Sequence, residues 1–317
     1  MKHALAPILD IVLTPLALAF APVAFALGRM GHHAPLSRSL IDRVGVGIVR
    51  RHYYQPLVRA DDLTRPLDQE RPLPGLALNE AAQLALVEQF RYGAELHAFS
   101  RGASGPLDYF YDNPAYGPGD GEFLYDMIRH FKPRGLLEIG SGHSTRMAAA
   151  AIKANRAEDP AYSCKHVCVE PFKNPWLEEL GIEVIRERVE LVDPTIFRTL
   201  SRNDILFIDS THVIRPQGDV LYEYLYLIPQ LAPGVIVHVH DIFTPRDYLA
   251  DWVLNRRLMW NEQYILEAFL SFNPAFEVLL AANWLAHNHR DKLKEAAPIL
   301  AEDAAAEPGA FWFRRKT

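Results

Sequence analysis

Short apolar segments alternate with helical patterns along the second half of the chain. Five of the apolar segments have the character of strands, and each follows a predicted helix; they are Gly135–Ile139, Lys165–Val169, Ile182–Arg186, Asp204–Ile208 and Val235–Val239. Helices are predicted at Glu122–Phe131, Ser144–Ala154, Pro175–Leu180, a short turn opened by Asp193, Gly218–Ile228, 246–256 and 260–271. Two more strands are predicted at Phe276–Leu280 and Ala310–Arg314. Strands that alternate with helices predict a parallel, doubly wound α/β sheet.

The chain before this alternating region has a different composition. Residues 31–78 are rich in Arg and Pro and predict a loop-rich arm with short helices. Asn79 is predicted to cap a helix that runs to about Phe99. The Ala- and Glu-rich stretch 295–307 is predicted to be a solvated helix or loop. We therefore divide the chain into an apolar segment at 1–30, an arm or cap at 31–115 and the main domain at 116–317.

The N-terminal segment contains a run without charge from Ile11 to Gly28. Its length is close to the roughly 20 apolar residues that a membrane span needs, although Pro15 and Pro22 are expected to kink or break a helix there. The basic residues that follow place the next region on the cytoplasmic side by the positive-inside rule; they are Arg38, Arg43, Arg50 and Arg51. The pattern favours a membrane-associated or re-entrant anchor. Two alternatives stay open: a helix buried against the body or a partner, and a signal peptide that ends near Ala24-Phe25-Ala26.

Composition excludes several classes of protein. The chain has 317 residues, of which 49% are hydrophobic and 23% charged, so a buried core is expected and global disorder is not. Lys and Arg number 33 against 39 Asp and Glu, which gives a net charge of -6 and disfavours a basic nucleic-acid binder. Two cysteines cannot form a disulfide framework or a four-cysteine zinc site. We interpret Cys164 and Cys168 as reduced, buried residues of a cytosolic protein.

A glycine-containing turn follows the first strand of the alternating region. Its sequence is Leu136-Leu137-Glu138-Ile139-Gly140-Ser141-Gly142-His143-Ser144-Thr145, and a turn of this kind lets the backbone approach a ligand at the start of a helix. Glu138 precedes the first glycine by two residues and is able to pair with a cationic amine. Glu170 ends the second strand, where doubly wound folds hold a ribose through its hydroxyls. The two acids favour an adenosine ligand with a positive tail and no phosphate, which describes S-adenosylmethionine better than NAD; the alternative is an ordinary turn with two surface acids.

With these motifs, residues 110–317 resemble the class I S-adenosylmethionine-dependent methyltransferases, and most closely a group of small-molecule O-methyltransferases. The resemblance implies a Rossmann-like seven-stranded sheet of order 3-2-1-4-5-7-6 with the last strand antiparallel. It also implies that Glu138 and Asp209 face the methionine end of the cofactor and that Glu170 holds the ribose. The residues expected along the cofactor are Gly140, Ser141, Gly142 and Ser144. The third glycine of the commoner motif is replaced here by Ser144.

A second group of polar residues follows strands four and five. Asp209 and Asp241 end these neighbouring strands and should converge at the carboxyl edge of the sheet. Two carboxylates with a nearby histidine are able to hold a divalent cation, so Asp209 and Asp241 are predicted metal ligands. The related metal-dependent enzymes have Asn after the second Asp, whereas Ile242 stands here, and a histidine ligand in its place would favour a transition metal. Alternatively, Asp241 caps the next helix, and His238 and His240 belong to the core.

His212 lies three residues after Asp209, and we predict that it acts as the general base. Histidine suits the role because its ordinary pKa leaves much of it neutral at pH 7, although Asp209 beside it favours the protonated form. The alternative is a structural role for His212 in its loop.

The sequence thus predicts a cytoplasmic O-methyltransferase, attached to the cytoplasmic face of the membrane, that acts on a small-molecule or glycan-like acceptor. We expect S-adenosylmethionine as cofactor, a divalent metal ion as a candidate cofactor, a homo-oligomer as a candidate assembly and no nucleic-acid partner. The alternative functions are a metal-dependent hydroxylase on the same scaffold and a membrane-tethered module without catalytic activity.

Overall fold

The fold is described from a computed structural model that covers residues 2–50 and 52–317. Met1 and Arg51 lie outside the described residues. Arg51 is one of the basic residues on which the positive-inside prediction rests. The chain forms two compact units: the first ends at Leu63 and the second is Thr64–Thr317.

The first unit consists mainly of one long helix. Helix α1 is Lys2–Met30, and helix α2 is Pro35–Asp42. Short 3-10 turns are found at Gly31–His33 and Ala60–Asp62. The expectation that the prolines break the apolar run is wrong, because α1 continues through Pro7, Pro15 and Pro22. These prolines are seven or eight residues apart, about two turns, so the backbone hydrogen bonds between them can hold the helix.

The second unit is built on a seven-stranded sheet. The strands are β1 Gly135–Ile139, β2 Lys165–Val169, β3 Glu183–Ile185, β4 Ile205–Ile208, β5 Ile236–Val239, β6 Phe276–Ala281 and β7 Phe311–Arg315. Their order is β3-β2-β1-β4-β5-β7-β6. The pairs among β1 to β5 are parallel, and β7 is antiparallel to both β5 and β6. The predicted order and the antiparallel last strand are therefore confirmed.

Helices precede and follow the strands of this sheet. They are α3 Glu80–Val87, α4 Gly93–Leu96, α5 Asp120–Phe131, α6 His143–Glu158, α7 Trp176–Glu179, α8 Asp219–Tyr222, α9 Glu262–Leu270, α10 Ala282–Asn288 and α11 Pro298–Glu302. Wider π-type turns occupy Glu223–Leu227 and Asp251–Arg256, and 3-10 turns are found at Val189–Leu191, Pro194–Thr199, Ile228–Gln230 and Arg290–Leu293. The central strands β4 and β5 are buried throughout, as expected for a parallel sheet covered on both faces.

Two sequence-based predictions outside the central sheet are wrong. The helix after Asn79 ends at Val87 and does not reach Phe99, and the Asn79 side chain makes no capping bond but lies 3.5 Å from the Val278 carbonyl oxygen. Residues 295–307 are not a solvated stretch, since Ile299 and Leu300 are buried. The Glu122 carboxylate accepts the N–H groups of Ile299 and Leu300, so a distant side chain stabilises a segment whose own composition resembles a surface helix.

Four strands point their carboxyl ends at the same edge of the sheet. The loops after β1, β2, β4 and β5 begin there with Gly140, Glu170, Asp209 and His240 respectively. A parallel sheet of this topology binds ligands at that edge, beside the switch point between β1 and β4.

Candidate active site

The turn after β1 is held closely against the neighbouring strands. Gly140 donates its N–H to the Val169 carbonyl at 3.0 Å, and Asp209 donates its N–H to the Ile139 carbonyl at 2.9 Å. Gly140 has a φ of 87°, in the left-handed region, and a Cβ placed there would overlap the carbonyl oxygen of Asp209. Only glycine fits at this position. Gly142 differs, because nothing lies within 4 Å of the position that its Cβ would take.

Glu170 lies at the end of β2 and faces this turn. Its Oε2 accepts the Ser141 hydroxyl at 2.8 Å, and its Oε1 accepts the Phe172 N–H at 2.8 Å. The side chain is fixed by these bonds and is only 6% exposed. Each carboxylate oxygen has a second lone pair, so the group is able to accept further hydrogen bonds from a ligand.

Glu138 is the fourth residue of β1, and both of its carboxylate oxygens are hydrogen-bonded. It is 1% exposed, its Oε2 accepts the Thr145 hydroxyl at 2.8 Å, and its Oε1 is hydrogen-bonded to Nε2 of His166. Ser144 is buried beside Thr145 in the first turn of α6. Glu138 therefore lies under the glycine turn, with both oxygens already engaged by protein groups.

Asp209, His212 and Asp241 are brought together as predicted for strands four and five. The Nε2 atom of His212 lies 3.2 Å from Asp209 Oδ1 and 3.4 Å from Asp241 Oδ2. Burial alone would lower the pKa of His212, but its bonds to Asp209 and Glu262 and the charge of Asp241 raise it to about 10. Burial opposes ionisation of Asp209, yet His240 and His212 hold the pKa of Asp209 below its usual range. The group is thus an ionised cluster in which imidazolium neutralises carboxylate.

Glu262 is a site residue that sequence reasoning missed. It begins helix α9, is fully buried, and its Oε2 lies 2.8 Å from His212 Nδ1. The N–H groups of Asn261 and Glu262 also donate to the His212 carbonyl, at 2.9 and 3.2 Å. The sequence predicts only a helix at 260–271, because no local pattern marks a carboxylate that meets a histidine from a distant loop.

Asp120 is the second residue that the sequence did not indicate. Its Oδ1 accepts the N–H groups of Gly309 and Ala310 at 2.8 Å, and its Oδ2 lies 3.4 Å from Nε2 of His240. His240 extends the cluster, because its Nδ1 lies 3.6 Å from Oδ1 of both Asp209 and Asp241. Burial lowers the pKa of His240, and Asp241 and Asp209 overcome this and raise it well above the ordinary value.

His238 is a core residue, in line with one of the two interpretations of the strand-five histidines. Its ring stacks on Phe207 at 4.3 Å and packs against Trp312 at 4.4 Å. Burial holds the pKa of His238 well below the ordinary value, so this imidazole is neutral. The Tyr116 hydroxyl lies 3.4 Å from its Nε2, which places Tyr116 behind the edge of the sheet and in the core.

The predicted metal ligands have suitable donor atoms. Single ligand atoms of Asp209, His240 and Asp241 lie within 4.8 Å of one another. Two carboxylates and an imidazole suit a first-row transition metal better than magnesium. His212 and His240 already lie next to these carboxylates, so two imidazole groups face them in the absence of a metal ion.

Comparisons with known proteins found a family match and similar solved structures. A family model described as a methyltransferase domain matches residues 137–242. The fold is similar to an O-methyltransferase from Bacillus cereus solved with SAH, with 17% identity, coverage of 74% of this chain and 91% of that one, and a TM-score of 0.38. It is also similar to the plantazolicin methyltransferase solved with SAH, with 12% identity, coverage of 62% and 82%, and a TM-score of 0.37. No curated protein sequence matches the chain.

The segment that matches the family model covers the central strands of the sheet. The matched segment begins in β1, ends directly after β5, and contains Glu138, the glycine turn, Glu170, Asp209 and Asp241. The strand order is the one that the sequence resemblance implied. Residues 137–242 thus match a methyltransferase domain, and the sheet around them has the order implied by the resemblance to class I S-adenosylmethionine-dependent methyltransferases.

Proposed function

We propose that the protein transfers the methyl group of S-adenosylmethionine to an oxygen atom of a small-molecule or glycan-like acceptor. The observation that carries the proposal is the adjacency of the glycine turn to Asp209, whose N–H is bonded to β1 and whose carboxylate meets His212. A cofactor-type turn and an acid–base pair thus lie at one edge of the sheet.

The turn and two acids form the proposed cofactor site. Glu170 would accept the ribose hydroxyls, and Asp209 would face the ammonium and sulfonium charges of the methionine end. The backbone of Gly140, Ser141 and Gly142 would lie along the cofactor, with Ser144 below it. S-adenosylmethionine supplies an electrophilic methyl group and leaves as the neutral thioether. The carboxylates of Glu170 and Asp209 suit such a positively charged ligand.

His212 is the proposed proton acceptor, with Asp209 as its partner. Methyl transfer forms a C–O bond and releases the hydroxyl proton, which must be taken up by a base. In the absence of a ligand His212 holds its own proton, because its pKa is about 10. A positive charge next to Asp209 weakens the carboxylate's hold on the imidazolium and lowers that pKa. The base is then available when the cofactor is bound.

A divalent cation is the alternative way to activate the acceptor hydroxyl. Asp209, Asp241 and His240 would hold it, and its charge would lower the pKa of the hydroxyl. A hydroxylase on this scaffold would also depend on such a metal. Activity that survives a chelator supports His212 as the activating group, and loss of activity with restoration by one metal supports the cation.

We further propose that residues 1–30 anchor the protein to a membrane, 31–115 form an arm or cap, and 116–317 form the catalytic domain. The helical segment Ala6–His33 has a mean hydropathy of 2.1 and is long and apolar enough to cross a bilayer. Its apolar side chains are exposed, among them Ile11, Leu16 and Leu18. A cleaved signal sequence has the same length and composition, so cell fractionation of the full-length chain tests this proposal.

The function is tested by incubating the full-length protein with methyl-labelled S-adenosylmethionine and a panel of phenolic, catecholic and sugar acceptors. Label found on an oxygen of one acceptor, dependent on His212 or Asp209, supports the proposal. Cofactor binding without transfer to any acceptor, at any metal supplement, supports a module without catalytic activity.

A further inference from the structure

Both carboxylate oxygens of Glu138 are hydrogen-bonded to buried protein groups before any ligand arrives. Its Oε1 is hydrogen-bonded to Nε2 of His166, which comes from the start of β2, and its Oε2 accepts the Thr145 hydroxyl at 2.8 Å. Glu138 is 1% exposed, and Thr145 and His166 are also buried. A buried carboxylate with two such donors has little reason to turn toward solvent, because leaving either donor without a partner costs free energy.

Thr145 links this carboxylate to the glycine turn. Its hydroxyl has one proton, which it donates to Glu138, and a lone pair, which accepts the Gly142 N–H at 3.1 Å. Gly142 directly precedes α6, and Thr145 is the third residue of that helix. The arrangement is one half of a capping box, in which a side chain in the first turn satisfies the N–H that precedes the helix.

The other side of the turn is held independently. Ser141 donates its hydroxyl to Glu170, and Gly140 donates its N–H to the Val169 carbonyl. Gly142 has open surroundings, with nothing within 4 Å of the position that its Cβ would take, whereas Gly140 has the Asp209 carbonyl oxygen there. The path from His166 through Glu138 and Thr145 therefore ends at the part of the turn that faces free space.

We propose that His166, Glu138 and Thr145 are positioning residues that fix the Gly142 peptide for the cofactor, and that Glu138 acts on the cofactor only through this path. The inference rests on the cofactor site proposed above, and it differs from the interaction with the methionine end, direct or through water, that the family resemblance implied for Glu138.

The chemistry of the path explains why these residue types stand here. A carboxylate is acceptor-only and serves two donors, whereas an amide would place its own donor against one of them. A threonine hydroxyl both donates and accepts, which valine cannot do. Ordering the turn in advance removes a cost that the cofactor would otherwise meet on binding.

The test compares Thr145→Val with Thr145→Ser in the full-length protein. S-adenosylmethionine affinity is measured by calorimetry, and thermal unfolding is measured on the same samples. We expect Thr145→Val to weaken binding about five- to thirtyfold, the fold-change that corresponds to one lost buried hydrogen bond, and Thr145→Ser to stay near wild type. Glu138→Gln should weaken binding as well. This variant provides the test if Thr145→Val does not fold.

Thr244 provides a matched control. It is buried, and its hydroxyl donates to Glu267 at 2.8 Å in the same way that Thr145 donates to Glu138, but it lies in another loop and has no bond to the turn. Thr244→Val should lower the melting temperature without changing the cofactor affinity. If Thr145 had only a structural role, Thr145→Val and Thr244→Val would both lower the melting temperature, and both would leave the cofactor affinity unchanged.

Two results overturn the inference. One is wild-type affinity in both Thr145→Val and Glu138→Gln, and the other is a loss in Thr145→Val that serine does not rescue. Failure of the proposed function is a separate result, since wild-type protein would then bind no S-adenosylmethionine or would bind it without methylating any acceptor.

Discussion

The Nδ1 atom of His212 and the Oε2 atom of Glu262 lie 2.8 Å apart in the interior, although 50 positions separate the two residues in the sequence. Two backbone N–H groups at the start of α9 also hold the His212 carbonyl. The imidazole therefore has one orientation, with Nε2 directed at Asp209 and Asp241. This orientation is the basis for assigning the proton transfer to His212.

His212→Ala should lower turnover about 10²- to 10⁴-fold, the usual range for loss of a general base. Cofactor affinity should not fall, because His212 is not among the proposed cofactor contacts and its positive charge opposes that of the cofactor beside Asp209. Steady-state kinetics and calorimetry on the same preparation check this. Loss of both binding and turnover would indicate a structural role, and wild-type turnover that a chelator abolishes would move the activating role to a metal ion.

The rate should depend on pH through the same imidazole. With a chelator present, kcat/KM is expected to rise with pH toward about 10, because the pKa of free His212 is about 10 and only the neutral form accepts a proton. The raised pKa also stabilises the folded state below the unfolded pKa of about 6.5, and this contribution is lost as the pH rises through about 10. A kcat/KM that does not change between pH 6 and 9 would contradict the assignment.

Gly140 and Gly142 should respond to alanine in opposite ways. Gly140→Ala places a Cβ on the Asp209 carbonyl oxygen at a φ of 87°, so the melting temperature should fall sharply. Gly142 has a φ of 179° and open space beside it, so Gly142→Ala should fold normally. Its added methyl group would occupy space proposed for the cofactor, and the affinity for S-adenosylmethionine should fall. Unchanged affinity in Gly142→Ala would place the cofactor elsewhere.

The full-length protein should be found in the membrane fraction, and a variant that lacks residues 1–30 should be released while still binding S-adenosylmethionine. A second variant, with Leu13 and Leu18 both changed to Lys, keeps the helix length. Each lysine costs about 2.5–3.5 kcal/mol at the centre of a span, so this variant should also leave the membrane. Full-length protein that is wholly soluble and monomeric would contradict the anchor.

The central sheet was predictable because each of its parts depends on local sequence. Strands β1 and β2 have the predicted limits, and β3 to β7 differ by one residue at one or both ends, since a buried parallel strand is a short apolar run between turn residues. Asp209 and Asp241 could be paired because neighbouring strands end at one edge. Asp120 and Glu262 could not be found in this way, because each begins a helix and reaches the site only through the folding of distant segments.

The prolines of α1 and the hydrogen-bonded path from His166 to Gly142 are two further features that the local sequence does not predict. Local rules place a break at Pro15, whereas the hydrogen bonds of the adjacent turns keep the helix continuous. The local sequence predicts that Glu138 faces the ligand. Whether a side chain at a strand end faces the ligand or the interior depends on neighbours such as His166, and these are known only from the folded structure.

Calorimetric titration of S-adenosylmethionine into wild-type protein and Glu170→Ala tests the central claim most directly. Glu170 should accept two ribose hydroxyls, each bond worth about 1.5–3 kcal/mol, so its removal should weaken binding at least tenfold. Glu187→Ala changes an exposed acid beyond β3 and serves as the control, with affinity at the wild-type value. We predict a tenfold or greater loss in Glu170→Ala, in a protein that still folds but melts at a somewhat lower temperature because the Ser141 hydroxyl and the Phe172 N–H lose their partner. Equal affinity in Glu170→Ala and wild type would show that the cofactor does not bind at this edge of the sheet.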